Sequence, residues 1–434
     1  MKTVLFSAYF SYREERMKFM SKVSEALSGD VRIVVLNLAQ TVSANMDVVN
    51  AVPSNIQSDL RPLDRLRKIL KRVVPNRAGW FEKQALGEFS INGQVNHNQL
   101  ATLAERIKSF KRALVLYEPD HVFLWNQFNV FHRIAGEILK EQGIPFGFFH
   151  DGVLPGSIAL DFDAEMGASW LAQRPEQFLE IPVSADDLSR AEAFIDGLNG
   201  DEANRRHVQQ DGVDVTEALA MRGLGDRPVI FYGGQNDWHA GLRPNDSETA
   251  LHSPIFSDSE AGLAELDRLG GEYGFAVIYK PHPLTRFPYL FLEANNFPNS
   301  VILNSVSINA SFGASNLIST IASQLCYLAV LQDRPTLMLG RNQITGKGMT
   351  YDVNTLEELP EKIEEGQADP LAGSRRENLI RHVAQLEKSY LFDYATGNGD
   401  YYRRGVASFA LAIKLSLEHT KDEVLEMQLR GEMP

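Results

Sequence analysis

Short apolar segments alternate with longer segments of helical spacing along this chain, and this alternation constrains its fold more than any other feature. In the first half, strands are predicted at residues 3–9, 31–38, 121–125 and 144–149, and helices at residues 14–27, 98–116 and 128–142. In the second half, strands are predicted at residues 228–232, 275–279, 300–303, 316–319 and 336–339, and helices at residues 259–273 and 320–331. Strands that alternate with helices form βαβ units and parallel sheets.

The two series are separated by residues 172–222, which are polar, have helical spacing and carry no strand signal. From about residue 375 the pattern is again helical throughout. Because 434 residues exceed what one hydrophobic core usually supports, we predict an α/β protein of two facing Rossmann-like domains with a helical C-terminal tail. The predicted parts are an N-terminal domain with a helical connector (1–205), a C-terminal domain (206–395) and the tail (396–434).

Charge and composition exclude several classes of protein. A formal net charge of −13 argues against a general nucleic-acid binder, which needs a broad positive surface. No segment approaches the roughly 20 apolar residues that span a bilayer, and the N-terminus, MKTVLFSAYFSYREER, is interpreted as a first strand and not as a secretory leader. The single cysteine, Cys326, rules out an intrachain disulfide and is interpreted as a buried structural thiol. These features predict a cytoplasmic protein.

The segment Lys280-Pro281-His282-Pro283 follows the apolar strand at residues 275–279. Ligands of open α/β sheets bind outside the C-terminal ends of the strands, so residues that follow strands are the first candidates for a site. The two prolines fix φ on both sides of the histidine. Lys280 supplies a positive charge, and His282 can donate a hydrogen bond or a proton to a phosphate. The alternative is a turn with a solvent-facing histidine.

Two further segments in the second half also follow predicted strands. Ser319 and Thr320 lie where a strand passes into a helix, so their hydroxyls can cap that helix or accompany amides that bind an anion. In the segment 231–239, FYGGQNDWH, the glycines permit close backbone approach. Asp237 and His239 can act there as nucleophile or base, with Gln235 as an orienting amide. A solvated turn is the alternative interpretation of this loop.

In the first half, His150-Asp151-Gly152 ends a strand, and Asp161, Asp163 and Glu165 follow closely. Such a cluster of carboxylates can bind the hydroxyls of an acceptor or supply a catalytic base. It can equally be a solvated loop, in which case Asp161 and Glu165 share a face only if the segment is helical.

The segment Arg61–Arg77, RPLDRLRKILKRVVPNR, is basic and has apolar residues at helical spacing. A helix of this kind can contact an anionic membrane surface or a lipid-linked acceptor, and the alternative is an ordinary surface helix. We therefore consider peripheral contact with the inner membrane.

Several motifs are absent from the sequence. It contains no Walker A motif and no GxGxxG, so ATP hydrolysis and ordinary dinucleotide binding are unsupported. There is no HExxH, no spaced His/Cys set and no convincing Asp-x-Asp after a strand, since Asp161-Phe-Asp163 lies among residues interpreted as a loop. This favours a transferase that needs neither metal nor cofactor.

Taken together, these segments resemble the bacterial β-Kdo transferases of capsule and O-antigen assembly, which are related to the bacterial polysialyltransferases. The resemblance is carried by an Asp-Gly stretch, a His-Pro motif, and a segment similar to the family's "N-S-T … G-K-P-V … L-G". In this chain the Asp-Gly stretch is Asp151-Gly152 to Ser157, followed by Asp161 and by Gly167 to Ser169. The His-Pro motif is Lys280 to Pro283. The third segment begins at Ile318-Ser319-Thr320 and continues through Asp333-Arg334-Pro335 to Gly340. Where the family often has an acid before Asp-Gly, this chain has His150.

The resemblance implies a GT-B fold with an acceptor-side first domain and a second domain that binds the nucleotide sugar. It also implies CMP-β-Kdo as the donor and transfer of Kdo, with retention, to a glycan or lipid-linked glycan of a surface polysaccharide such as lipopolysaccharide. The resemblance further implies that Asp237 is the carboxylate at the anomeric carbon and that Gln235 is its neighbour. Asp161 and Glu165 are the rival candidates for the catalytic carboxylate. The residues expected to hold the CMP phosphate and ribose are Lys280, His282, Ser319 and Thr320, and Arg243 can add positive charge. Asp151 and Gly152 are expected on the acceptor side.

Two other functions are compatible with these residues. One is a sialyl- or CDP-glycerol-type transferase, because these enzymes also use a cytidine nucleotide. The other is a glycan-binding module without catalytic activity, which predicts that His282→Ala is tolerated.

Overall fold

The computed structural model describes residues 1–8, 14–37, 47–50, 61–91, 94–198, 213–243, 251–282, 296–394 and 401–432. The chain divides into two compact units, unit 1 with Met1–Glu165 and Gln385–Pro434, and unit 2 with Met166–Ala384. This division differs from the predicted boundaries at residues 205/206 and 395/396, both of which lie outside the described residues. It differs because a C-terminal strand completes the sheet of unit 1.

The strands are short, as is usual for α/β proteins. In chain order they are β1 (Lys2–Ala8), β2 (Val31–Asn37), β3 (Asp47–Asn50), β4 (Ser90–Ile91), β5 (Gln94–Val95), β6 (His121–Leu124), β7 (Phe146–Asp151), β8 (Ser157–Asp161), β9 (Val229–Gly233), β10 (Ala276–Lys280), β11 (Ser300–Ile302), β12 (Leu317–Thr320), β13 (Thr336–Met338), β14 (Tyr351–Asp352) and β15 (Leu391–Asp393).

The helices occupy the connections between these strands. They are α1 (Glu14–Ala26), α2 (Pro62–Val73), α3 (Ala78–Glu88), α4 (His97–Tyr117), α5 (Val130–Gln142), α6 (Trp170–Gln173), α7 (Pro175–Leu179), α8 (Ala185–Gly197), α9 (Val215–Met221), α10 (Ser259–Tyr273), α11 (Ile308–Gly313), α12 (Leu325–Leu331), α13 (Leu359–Ala368), α14 (Arg375–Ser389), α15 (Val406–Glu418) and α16 (Lys421–Leu429), with 3-10 turns at Pro75–Arg77 and Met166–Ala168.

The sheet of unit 1 has the strand order β15-β8-β7-β6-β1-β2-β3. The strands β3, β2, β1, β6 and β7 are parallel, as predicted, whereas β8 is antiparallel to β7 and β15 is antiparallel to β8. Two sequence interpretations are therefore wrong. Residues 157–161 form a strand and not a loop, and residues 391–393 interrupt the C-terminal helices. Each strand is too short for its own alternation to be visible, and each is stabilised by its neighbour in the sheet.

The sheet of unit 2 is fully parallel, with the order β11-β10-β9-β12-β13-β14. Numbered from its first strand, this is the order 3-2-1-4-5-6 of a Rossmann sheet. Helix α10 begins and ends at the predicted residues, because the side chain of Asp258 caps its first turn and Gly274, at φ 80°, ends it. The prediction of two Rossmann-like α/β parts, the pair from which GT-B enzymes are built, is confirmed. The helical C-terminal tail, α15 and α16, is confirmed as well.

Apolar side chains cover both faces of each sheet. In unit 1, Leu66, Leu70 and Val73 of α2 pack into a core shared with α4 and α5, so the apolar face of the basic segment is already covered. In unit 2, Cys326 is fully buried, which confirms the interpretation as a buried thiol, and burial raises its pKa to about 12. Among the described residues, no helix combines the length and apolar character needed to cross a membrane.

Candidate functional site

The sequence-predicted residues of unit 2 meet at the C-terminal edge of its sheet. The chain leaves β9 toward β10 and β11 and then returns to the other side of β9 as β12, so the gap between β9 and β12 is the switch point where ligands of such sheets bind. Lys280, Gly233 and Thr320 are in register on β10, β9 and β12, and the side chains of Lys280 and Thr320 therefore leave the same face of the sheet. Six predicted residues, Gln235, Asp237, Lys280, His282, Ser319 and Thr320, follow or end these three strands.

Gln235 bridges the switch point. Its side-chain Oε1 accepts a hydrogen bond of 3.0 Å from the backbone N–H of Ala322, which follows β12. The residue is only 4% exposed, and its Nε2 is buried and has no hydrogen-bond partner among the described residues. A buried amide donor without a partner is unfavourable unless a ligand or a water molecule accepts its hydrogen bond.

Lys280 places a positive charge at the C-terminal edge of the sheet of unit 2. It is 6% exposed, and its ammonium makes no hydrogen bond or ion pair with any described residue. Burial lowers the pKa of Lys280 from its usual value, because no acidic partner compensates the lost hydration. An anion at the switch point would provide that compensation. His282 follows as a partly exposed residue, and Pro283 lies outside the described residues.

Asp237 lies under the first turn of α10. Its carboxylate accepts 2.6 Å and 3.2 Å hydrogen bonds from the hydroxyl and the backbone N–H of Ser259. Burial raises the pKa of Asp237 to about 6, against the lowering effect of the Ser259 bonds and of Arg243. Its charge is favoured by the positive end of the helix dipole. The structure thus gives Asp237 a role in fixing the loop to α10, whether or not it also acts in catalysis.

Arg243 is held by the same helix terminus. Its guanidinium donates a 2.8 Å hydrogen bond to Asp258, the residue that caps α10. Ser259 and Asp258 were missed as members of the site, although Asp-Ser-Glu at residues 258–260 is a recognisable helix-start signal.

Ser319 and Thr320 occupy different faces of β12. The Thr320 hydroxyl donates a 3.0 Å hydrogen bond to the backbone oxygen of Gly233. Ser319 is in register with Tyr232 and is fully buried in the middle of the strand, between Leu317 and Ile321 of the same core face. Thr320 therefore helps to hold β9 and β12 together, and Ser319 lies inside the sheet rather than at its open edge.

The loop after β13 joins this edge, and its residues Asn342 and Lys347 were not predicted. The side chain of Asn342 donates hydrogen bonds to the Sγ of Cys326 at 3.2 Å and to the backbone oxygen of Ala322 at 3.5 Å. Lys347 is buried and its ammonium donates to the backbone oxygens of Leu171, at 2.8 Å, and Thr345. These bonds fix the loop beside the end of β12. Polar residues in a predicted loop are ordinarily solvated, so only their burial reveals them.

Unit 1 contains a second set of predicted residues. Asp161 is fully buried at the end of β8, and its Oδ1 accepts hydrogen bonds of 2.9 Å and 3.1 Å from the backbone N–H groups of Asp163 and Ala164. Burial raises the pKa of Asp161 to about 7. Glu165 is 4% exposed, and burial together with the nearby Asp161 charge raises its pKa well above the usual range. The two carboxyl groups interact although their segment is not helical.

The Asp-Gly stretch has a structural explanation in unit 1. Asp151 forms an ion pair with both oxygens on Arg16, whose guanidinium lies 4.4 Å from the ring centroid of Trp125. A Cβ on Gly152 would collide with Ser157 and with Leu391 of β15, so the turn between β7 and β8 needs a glycine. Tyr390, which was not predicted, contacts both His150 and Asp161.

Metal-binding groups were sought across the described ranges. These contain no group of three or more His, Cys, Asp or Glu side chains placed to hold a metal ion.

Comparison with known proteins gives likenesses to solved structures only. No family model and no curated protein sequence matches the chain. Similar structures include two KpsC enzymes of Thermosulfurimonas dismutans. The β-Kdo 2,7 transferase has 15% identity and a TM-score of 0.39 and covers 64% of this chain and 79% of its own. The β-Kdo 2,4 transferase has 16% identity and a TM-score of 0.41 and covers 62% of this chain and 79% of its own. A glycosyltransferase from Rickettsia africae has 11% identity and a TM-score of 0.36, with 98% and 99% covered.

Proposed function

We propose that this chain is a glycosyltransferase that takes its sugar from CMP-β-Kdo and transfers it to a glycan or lipid-linked glycan of a bacterial surface polysaccharide. In this proposal, unit 2 binds the nucleotide and unit 1 provides acid–base groups for the acceptor. No metal ion or other cofactor is required. The residue pattern that resembles the β-Kdo transferases supports the choice of donor.

The observation that carries the proposal is the buried Lys280 ammonium at the Rossmann switch point, without a partner among the described residues. The unpartnered Gln235 Nε2 adds a neutral donor at the same edge. A cation and a directed donor suit a ligand with a phosphate and a carboxylate, which CMP-Kdo provides. His282, two residues beyond Lys280, is proposed to donate a hydrogen bond to the same phosphate.

The candidate catalytic carboxyl groups differ in how readily they ionise. At pH 7, Asp237, with a pKa of about 6, is mostly ionised, whereas burial and the nearby Asp161 charge raise the pKa of Glu165 and so favour its protonated form. A nucleophile must be ionised and a general acid must be protonated. We therefore propose Asp237 as the nucleophile of a retaining reaction, with Asp161 as its rival. The bond from the anomeric carbon to the phosphate oxygen breaks as the carboxylate attacks, and CMP leaves with the electron pair. The oxygen of an acceptor hydroxyl then displaces the carboxylate, and the proton of that hydroxyl is released to solvent.

The first test is calorimetric binding of CMP to the wild-type chain and to Lys280→Met. We expect wild-type binding and a loss of at least about tenfold in affinity in the variant, which corresponds to one lost charge-assisted hydrogen bond. Lys362→Met, which removes a lysine paired with Glu365 in the same unit, is the matched control and should bind CMP normally. Equal CMP affinity in wild type and Lys280→Met would contradict the proposed site.

The second test is a donor screen in the presence of EDTA with CMP-Kdo, CMP-sialic acid, CDP-glycerol and UDP-N-acetylglucosamine. The proposal predicts transfer only from CMP-Kdo. Turnover of CMP-sialic acid or CDP-glycerol would identify the corresponding transferase instead. CMP binding without turnover of any donor would favour a glycan-binding module, and dependence on a divalent cation would overturn the metal-free reaction.

We also propose that the basic segment Arg61–Arg77 contacts an anionic membrane surface. Its exposed cations Arg61, Lys68, Lys71 and Arg72 have no ion-pair partner among the described residues, whereas Arg65, Arg67 and Arg77 are paired with Glu105, Glu82 and Glu137. Because the apolar face of α2 is packed in the core, such contact would be electrostatic, without insertion of apolar side chains.

A further inference from the structure

Positive charge is concentrated in residues 61–118, the part of unit 1 that contains α2, α3 and α4. These residues include twelve Lys and Arg but only five Asp and Glu, a net charge of +7, in a chain whose net charge is −13. The rest of the chain therefore carries −20. A cationic region on a protein that is otherwise strongly acidic attracts anionic partners, whereas the remaining surface repels them.

The outward faces of α2 and α4 are joined at Glu105. The carboxylate of Glu105, on α4, pairs with Arg65 of α2 and with Lys108, three residues further along its own helix. The exposed Lys68 and Arg72 lie three and seven residues beyond Arg65, a spacing that places them on the same side of α2. The cations of the two helices therefore belong to one surface.

On α4 this surface continues from cations to apolar side chains. Arg112 lies four residues beyond Lys108, is exposed and has no ion-pair partner among the described residues. Val115 and Leu116 follow at helical spacing in the last turn of α4, with 77% and 64% of their surface exposed. Across the described ranges, no other two exposed large apolar side chains are neighbours in sequence. Such a pair gains free energy when an apolar environment replaces the water around it.

Cations followed by an apolar pair match the edge of an anionic bilayer. There the negatively charged headgroups lie directly over an apolar layer. Nucleic acid also presents negative charge, but its backbone has no apolar layer that could receive Val115 and Leu116. Peripheral proteins commonly need both kinds of contact, because charge attraction or a small apolar anchor alone binds a membrane only weakly.

We propose that α2 and α4 form one membrane-docking surface, on which the cations bind anionic headgroups while Val115 and Leu116 insert below them. This inference rests on the membrane contact of Arg61–Arg77 in the proposed function and adds to it a second helix and an apolar anchor. It concerns unit 1 alone and is independent of the sugar donor and of the transfer reaction.

The test places an environment-sensitive fluorophore in the last turn of α4. In Leu116→Cys the new thiol can be labelled selectively, because the single native cysteine, Cys326, is fully buried. With phosphatidylglycerol vesicles at low salt, we expect the emission to move to shorter wavelength and to be quenched by nitroxide-labelled acyl chains. Phosphatidylcholine vesicles should leave it unchanged. Met221→Cys, at a 74% exposed residue that ends α9 in unit 2, is the matched control and should report water throughout.

A second measurement separates insertion from charge attraction. Val115→Ser combined with Leu116→Ser should lower partitioning into phosphatidylglycerol vesicles by at least about tenfold, because the apolar anchor is lost while every cation remains. Both side chains are exposed, so their replacement should leave the fold intact. The binding that remains should disappear at high salt, which screens charge attraction. Met221→Ser should partition as the wild type does.

Vesicle binding without a shift of the label at residue 116 would overturn the insertion and leave only the electrostatic contact of α2. If the wild type does not bind vesicles at all, both are overturned. A shift that grows with protein concentration in the absence of vesicles would show that a second copy of the chain covers Val115 and Leu116, and it would overturn membrane docking. Absence of transfer from every donor would contradict the proposed reaction and leave these results unchanged.

Discussion

The Gln235 side chain accepts a 3.0 Å hydrogen bond from the backbone N–H of Ala322 and so joins the C-terminal ends of β9 and β12 across the switch point. Both groups are buried, and the bond is local to the edge at which ligands of a Rossmann sheet bind. Oε1 of this amide thus holds the sheet edge together, whereas its Nε2 has no hydrogen-bond partner among the described residues and is the donor that we propose for a ligand.

Two substitutions should separate the structural role of Gln235 Oε1 from the ligand-binding role that we propose for its Nε2. Gln235→Ala leaves the Ala322 N–H unpaired and should lower the free energy of unfolding by about 1–3 kcal/mol, measured by denaturant titration. Gln235→Glu keeps an acceptor for Ala322 but replaces the Nε2 donor by oxygen, so it should weaken CMP binding about tenfold or more with a smaller loss of stability. Normal CMP binding by Gln235→Glu would show that Nε2 does not face the ligand.

The role of Asp237 can be separated from that of the helix terminus it holds. Asp237→Asn removes the carboxylate, whereas Ser259→Ala removes the 2.6 Å bond to it and leaves the carboxylate in place. If Asp237 is the nucleophile, Asp237→Asn should reduce transfer by at least about 10³-fold and Ser259→Ala should keep most of it. Similar losses in both variants would mean that Asp237 acts only by positioning the loop. Mass spectrometry should detect a glycosyl adduct on the wild type and not on Asp237→Asn.

Much of this architecture could be predicted from sequence because the segments that build it are periodic. The limits of α10 were predicted from a capped amphipathic pattern, and β9, β10 and β12 were each predicted to within one or two residues. The strands that were missed, such as β15, are stabilised mainly by their neighbours. The proximity of Tyr390 to His150, 240 residues apart, follows from that missed pairing, so no local signal could have revealed it. Similarly, the hydroxyl motif Ser319-Thr320 could not show which side chain lies inside the sheet.

Gly262 of α10 lies against the Tyr232 hydroxyl. A Cβ at residue 262 would be 2.5 Å from that oxygen, whereas the next nearest side chain, Phe256, is 3.6 Å away. Gly262→Ala should therefore lower the free energy of unfolding by about 1–3 kcal/mol. In a Tyr232→Phe background the same change should cost less, because the obstructing oxygen is gone and the ring carbon Cζ, at 3.1 Å from the Cβ position, is the nearest atom that remains. Additive effects of the two changes in a double-mutant cycle would contradict this contact.

Membrane contact through α2 can be tested with vesicles. Lys68, Lys71 and Arg72 are exposed, so their replacement by serine should leave the fold intact. If the segment binds anionic lipid, the triple variant should lose most co-sedimentation with phosphatidylglycerol vesicles, since each cation contributes about 1 kcal/mol. The control removes the same charge elsewhere by replacing the exposed Lys22, Arg381 and Arg430, and it should sediment as the wild type does. No binding by the wild type at low salt would exclude the contact.

Lys347 should make the stability of the protein depend on pH above neutrality. Burial lowers its pKa from 10.5 to about 7, so between about pH 7 and pH 10.5 the unfolded chain binds a proton that the folded chain does not. The free energy of unfolding then rises with pH across this window, by at most about 1.4 kcal/mol per unit from this group, and the penalty is complete below the folded pKa. Lys347→Met should remove this rise. The loss of the bonds to Leu171 and Thr345 costs stability equally at every pH, so it does not imitate the effect.

The measurement is urea unfolding at half-unit intervals from pH 6 to pH 10, followed by circular dichroism. Lys362→Met is the control, because this lysine is partly exposed and its pKa is raised by the Glu365 hydrogen bond, so its removal should not abolish the rise between pH 7 and pH 10. Parallel curves for the wild type and Lys347→Met would mean that Lys347 keeps an ordinary pKa when folded. That outcome would require water or another charge to reach its ammonium beside Phe178, whose ring lies 5.2 Å away.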